Sequence, residues 1–122
     1  MKVKEKVKWV EFPMYHYIVK IVITTDILHS RNKRAEEIGA KFEEKESPAG
    51  LHSYNPDHST CFIFLNPDTS MSTLSHECNH AIYRMFRYIG AQDVDEEIMS
   101  YTLGYLVQEV YDLISSIPRS QP

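Results

Sequence analysis

The sequence predicts an α+β domain, a small mixed sheet packed against two C-terminal helices, on three observations. MYHYIVKIVITT (14–25) places Tyr15, Tyr17, Val19, Ile21 and Ile23 on one face at period two, and β-branched residues dominate its second half. Two further strand-like runs, GLHSYN and STCFIFLN, are joined by the turn residues NPDH. After them come two long segments with apolar residues at spacings of three and four, as amphipathic helices require. The order is strand, helix, two or three strands, helix, helix. In 122 residues this suits one domain, 1–122, with 1–8 and 116–122 as flexible ends.

Taken in order, Lys2, Lys4, Lys6 and Lys8 alternate with Val3, Val7 and Trp9, which reads as a solvated edge strand or a flexible lead-in. After the first apolar strand, Asp26 can cap a helix through ILHSRNKRAEEIG. Leu28, Arg31, Ala35 and Ile38 share one side of it, and Gly39 ends it. A short strand at 41–44 also fits. Pro67 closes the last strand, and DTSMST offers several N-cap hydroxyls for a helix from about 72 to 89 that stops at Gly90. The link AQDV leads to a final helix from about 95 to 114.

Composition narrows the function classes. An apolar share of 43% and a charged share of 25% are those of a globular domain rather than a disordered chain. Lys20 interrupts YIVKIVI, leaving no apolar run long enough to cross a membrane. The N-terminal lysines precede no apolar segment of a secretory signal, so a cytoplasmic location is expected. Cys61 and Cys78 form no CxxC pair and read as reduced thiols. The net charge of −4 provides no basic field for nucleic acid.

The chemistry concentrates in LSHECNH (74–80). On a helix, His76 and His80 lie one turn apart on one face, so both imidazoles can reach one ion. Glu77, offset to one side, can meet a water beside that ion rather than the ion itself. Leu74, Cys78, Ala81, Ile82, Met85, Phe86 and Ile89 form an apolar stripe centred nearly opposite His80, so the histidines face water or a cleft. Cys78 belongs to the stripe and reads as core. A catalytic zinc needs a third protein ligand. Glu97 lies away from the apolar set of the final helix, and two antiparallel helices would present it to the histidine pair. Glu96 is the weaker candidate, and an acidic first turn favoured by the helix dipole is the ordinary reading of either.

His76, Glu77 and His80, with Glu97 following, resemble the zincin metallopeptidases in their gluzincin arrangement. SHECNHAIYR and EEIMSYTLGYLVQEV are also similar to small phage- or prophage-encoded HExxH proteins. The resemblance spans roughly 60 to 112. It implies a compact minimal zincin-like domain, Zn2+ on His76, His80 and Glu97, and Glu77 as general base in hydrolysis of a peptide or protein amide bond. It also implies that the strand TCFIFLN borders the cleft and pairs with an extended substrate. Two departures stand out. Tyr101 replaces the acidic residue that often orients a histidine, and there is no second domain to build substrate pockets. Tyr101 could donate to the oxyanion or simply pack between helices. His52 and His58 could line the cleft, although isolated turn histidines are more often exposed; His16 and His29 have no special context.

Two other classes compete. One is a non-enzymatic, zincin-shaped binding or accessory protein, in which zinc is structural or absent. The other is a nucleic-acid-binding accessory protein, which rests only on the lysines and eight tyrosines. The apolar faces of the last two helices could support a homodimer or a phage or host protein partner, though packing on the sheet explains them equally well.

Overall fold

The computed structural model describes residues 2–38, 49–91 and 93–118. Within them the chain is α+β. The elements are β1 (Glu5–Phe12), a 3-10 turn at Pro13–Tyr15, β2 (Tyr17–Thr24), α1 (Ile27–Lys33), α2 (Ala35–Ile38), β3 (Gly50–Tyr54), β4 (Thr60–Leu65), α3 (Met71–Tyr88) and α4 (Glu96–Ser115). Gly39 as a helix stop, the strand expected at 41–44 and the end of the tail lie outside the described residues. No described helix is long and apolar enough to cross a membrane.

The sheet order is β1-β2-β4-β3. β2 and β4 are parallel, and the two outer pairings are antiparallel. Parallel neighbours need a crossover; here it contains α1, α2 and β3, and β3 folds back as a hairpin with β4. The turn forms because the Asn55 side chain accepts the Asp57 N–H at 3.0 Å and its carbonyl accepts the His58 N–H at 3.0 Å. The two inner strands are almost wholly apolar and buried, as burial on both faces demands.

One face of the sheet carries α3 and α4 over Val19, Ile21, Ile23, Cys61, Ile63 and Leu65. The other face packs Val22, Phe62 and Phe64 against Ile27 of α1. Asp26 caps α1 as expected, accepting the His29 N–H at 3.0 Å. The helix breaks at Arg34; Arg31 of the expected face is buried, but its buried companions are Ile27 and Ser30, and the face is turned away from the half-buried Leu28. That rotation brings the Ser30 hydroxyl to 2.6 Å from Thr24 Oγ1, satisfying two buried hydroxyls at once.

The lysine-rich arm is strand from Glu5 onward, not a flexible lead-in. β1 pairs along its whole length with β2 and is tied to α4 by the Lys8–Glu109 ion pair and by a Lys6 hydrogen bond to Ser116 at 2.7 Å. Phe12 meets Tyr105 edge-on, with ring centres 5.8 Å apart. α4 therefore runs antiparallel to β1, over that edge of the sheet. Cys61 and Cys78 are both buried free thiols, each pushed up to about 12 by burial.

Glu5 clasps α1 to β1. Arg34 donates to its two carboxylate oxygens at 2.8 and 2.9 Å, and Lys33 adds a third contact at 3.3 Å. The Arg34 hydrogen bonds hold the carboxyl down at about 2, against an ordinary 4.5, although burial opposes them. A depressed carboxylate contributes stability above its ordinary value and loses it as pH falls towards its folded value. Glu5→Gln should therefore cost about 1–3 kcal/mol at neutral pH. The gap from wild type should close between pH 4.5 and about 2, as read by urea unfolding across pH.

Candidate metal centre

α3 begins at Ser70, whose hydroxyl accepts the Thr73 N–H at 3.1 Å. It ends before Gly90, which has φ +76, a left-handed conformation that favours glycine. Leu74, Cys78, Ala81, Ile82, Met85 and Phe86 are buried against the sheet and α4, as the apolar stripe requires. Ile89, expected to extend the stripe, lies past the last turn and is exposed.

The flank of α3 that meets β3 carries the site. Residues two apart on a strand are about 6.6 Å apart, and residues four apart on a helix about 6 Å. A helix running parallel to a strand can therefore match every second strand residue with one side chain per turn. Gly50 lies against Thr73 and Glu77, His52 stacks on His80, and Tyr54 lies under the Arg84 guanidinium at 3.6 Å. Leu51, on the alternate face, joins the core beneath α1.

His76 and His80 project from this flank, with their Nε2 atoms 3.0 Å apart. One donor atom from each of His76, Glu77 and His80 falls within 4.8 Å of the others, a group able to hold a metal ion. Two imidazoles on one tetrahedral zinc place their nitrogens about 3.3 Å apart, given Zn–N bonds of about 2.0–2.1 Å. The pair is thus already near the spacing that a shared ion would impose. Glu77 is 7% exposed, and its Oε2 has no hydrogen-bond partner among the described residues. Burial raises its pKa, and the adjacent His80 and His76 imidazoles partly offset the rise.

The structure does not bring Glu97 or Tyr101 to this group. Glu97 is exposed in the first turn of α4, where its backbone N–H donates to the Asp95 cap at 2.8 Å. Glu96 is exposed beside it, and Tyr101 is 75% exposed. Two features separate them from the histidines. α3 continues for two turns beyond His80, about 12 Å of rise, before the chain reverses. The returning α4 then docks towards β1, whereas the histidines face β3 at the opposite edge. That residual length keeps the first turn of α4 away from the level of the histidines, although the two helices are antiparallel neighbours.

TCFIFLN also takes a different place. It forms β4, which is hydrogen-bonded to β2 on one side and β3 on the other, so it has no free edge to offer a peptide. β3 is the edge strand, and among the described residues it pairs only with β4.

The sequence offers His52, with His58, as a residue that could line the cleft, and the structure brings His52 to the histidine pair. Its ring is stacked on Tyr54, with centres 5.5 Å apart, and on His80 at 5.8 Å. Its Nε2 is buried without a hydrogen-bond partner among the described residues. Burial, followed by the nearby His80 and Arg84, lowers its pKa to about 4, which keeps the ring neutral. The available signal was period two: Gly50, His52 and Tyr54 share a strand face. His58, in the turn, is exposed, as are His16 and His29.

The approach of α3 to β3 depends on Gly50. A Cβ there would stand 2.7 Å from Thr73 Cγ2, 2.9 Å from Leu65 Cδ2 and 3.1 Å from Glu77 Cγ. Gly50→Ala should destabilise the fold by about 1–3 kcal/mol through overpacking, measured by denaturant unfolding. No loss of stability would mean that the helix and strand are less tightly opposed. In comparisons with known proteins, no protein-family model, no curated protein and no solved structure matches the chain.

Proposed function

We propose that the chain is a small zinc-dependent peptidase, a zincin-like hydrolase that cleaves an amide bond in a peptide or protein. The observation that carries this reading is the His76–His80 pair, with Nε2 atoms 3.0 Å apart, beside a buried Glu77 oxygen that has no partner among the described residues. Two imidazoles with a flanking carboxylate suit zinc, which favours nitrogen donors. When bound, zinc would act as a Lewis acid and lower the pKa of its water to about 7.

Glu77 carries the proton chemistry in this reading. Its raised pKa makes it a stronger base than a solvated glutamate, and its position beside the histidines lets it take a proton from water and return it to the leaving amine. A purely structural zinc would have no use for such a group. The peptide class of substrate is supported by β3. Among the described residues no strand pairs with its outer edge, which leaves backbone groups for strand addition, and the flank bearing His80 lies alongside. Arg84, one turn beyond His80 with its guanidinium 3.6 Å from the Tyr54 ring centre, would in this reading bind a carbonyl or carboxylate of the bound chain.

The distance of Glu97 and Tyr101 from the pair favours a second reading, a binding module that takes an extended segment along β3 without cleaving it.

Elemental mass spectrometry and a peptide-library digest separate the two. The peptidase should carry about one zinc per chain. His76→Ala should lose the metal. Glu77→Gln should keep it while hydrolysis falls by about 10²–10⁴-fold. Zinc retained in both wild type and Glu77→Gln with no cleavage in either would establish the binding module. A wild type that takes up no zinc would remove the basis for both roles of the metal.

A further inference from the structure

We infer that His52, from strand β3, is the third protein ligand of the metal held by His76 and His80. The inference rests on the metal-site reading above and goes beyond it by naming the donor that completes the set.

A closed or catalytic zinc site requires at least three protein donors. Glu77 sits beside the pair, where the peptidase reading uses it as a base. Glu97 and Glu96 are exposed at the far end of α4. Cys78 and Cys61 are buried within the core between α3 and the sheet. Among the described residues, His52 is the remaining metal-competent side chain in contact with either histidine.

Its geometry is close to that of a co-ligand. With Zn–N bonds of about 2.0–2.1 Å, two imidazoles on one tetrahedral zinc have ring centres about 5 Å apart. The observed separations lie on either side of that value: 4.6 Å for His76–His80 and 5.8 Å for His52–His80. The His52 nitrogens lie outside the 4.8 Å group formed by the other three residues, so binding needs a rotation of the side chain. The rotation gives up ring stacking on Tyr54 and His80 but breaks no hydrogen bond at Nε2. The change also gives a buried nitrogen the partner it lacks, and unpaired buried polar atoms are costly.

The arrangement would also lock the two elements together. A ligand set with two donors from α3 and one from β3 clamps the helix to the edge strand, so metal binding would stiffen the strand proposed to receive substrate. A carboxylate from α4 would clamp different elements.

The test is zinc titration followed by long-range 1H–15N correlation of the histidine rings, with Co2+ absorption as a second readout. His52, His76 and His80 should shift together at one equivalent of zinc, while His16, His29 and His58 stay in place. His52→Gln should weaken zinc binding by more than the about 10–100-fold that loss of an outer partner costs. Glu97→Gln should bind as wild type does. Circular dichroism of each apo variant checks folding, and the wild-type spectrum needs no variant.

Zinc shifts at His76 and His80 alone, with affinity unchanged in His52→Gln, would overturn the inference and leave the metal site standing. Weakened binding in Glu97→Gln in place of His52→Gln would overturn it in favour of the α4 carboxylate. No shift at any histidine would overturn the metal-site reading itself, and this inference with it.

Discussion

The close contact between α3 and the edge strand β3 is the constraint on which the rest of this structure depends. It arises because the rise of two strand residues nearly equals that of one helical turn. It is permitted by Gly50, which leaves room for Thr73 and Glu77. The same contact aligns His52 with His80 and Tyr54 with Arg84. One helix–strand pairing thus produces both the packing of an edge and the assembly of a polar site.

The contact also sets the electrostatics. Glu77 projects between helix and strand, so its carboxyl loses water on one side while remaining next to two imidazoles. Burial and the histidines act in opposite directions on its charge. His52 is enclosed by Tyr54 and His80, with the Arg84 cation nearby, and every one of these influences favours the neutral ring. A neutral imidazole with a free nitrogen is the form that binds metals. These perturbed groups gather where α3 meets β3, and a cluster of that kind marks where chemistry is best sought.

The opposite edge of the sheet is organised for structure. α4 lies over β1 through an ion pair, a hydrogen bond and an edge-on aromatic contact. Glu5 ties the same strand to the α1 region through a bidentate arginine. These contacts hold an otherwise lysine-rich strand in the sheet. They also fix α4 on the side of α3 away from the histidines.

By itself the sequence determined the α+β class, the helix carrying HECNH, its apolar stripe, and the cap at Asp26, and it left several hydroxyls of DTSMST open as the cap of α3. Each depends on residues within a few positions of one another, where period and hydrogen-bonding geometry act locally. It also determined that His76 and His80 share one face a single turn apart, where both imidazoles can reach one ion. Tertiary structure alone decided which distant elements meet that pair. The strand order left TCFIFLN inside the sheet and GLHSY at its edge, a choice of partners that periodicity does not encode. The length of α3 beyond His80, together with the docking of α4 over β1, carried Glu97 away. The parallel alignment of β3 with α3 brought His52 in from 28 residues earlier in the chain. Contacts of that kind follow from how whole faces pack, and no local pattern of residues specifies them.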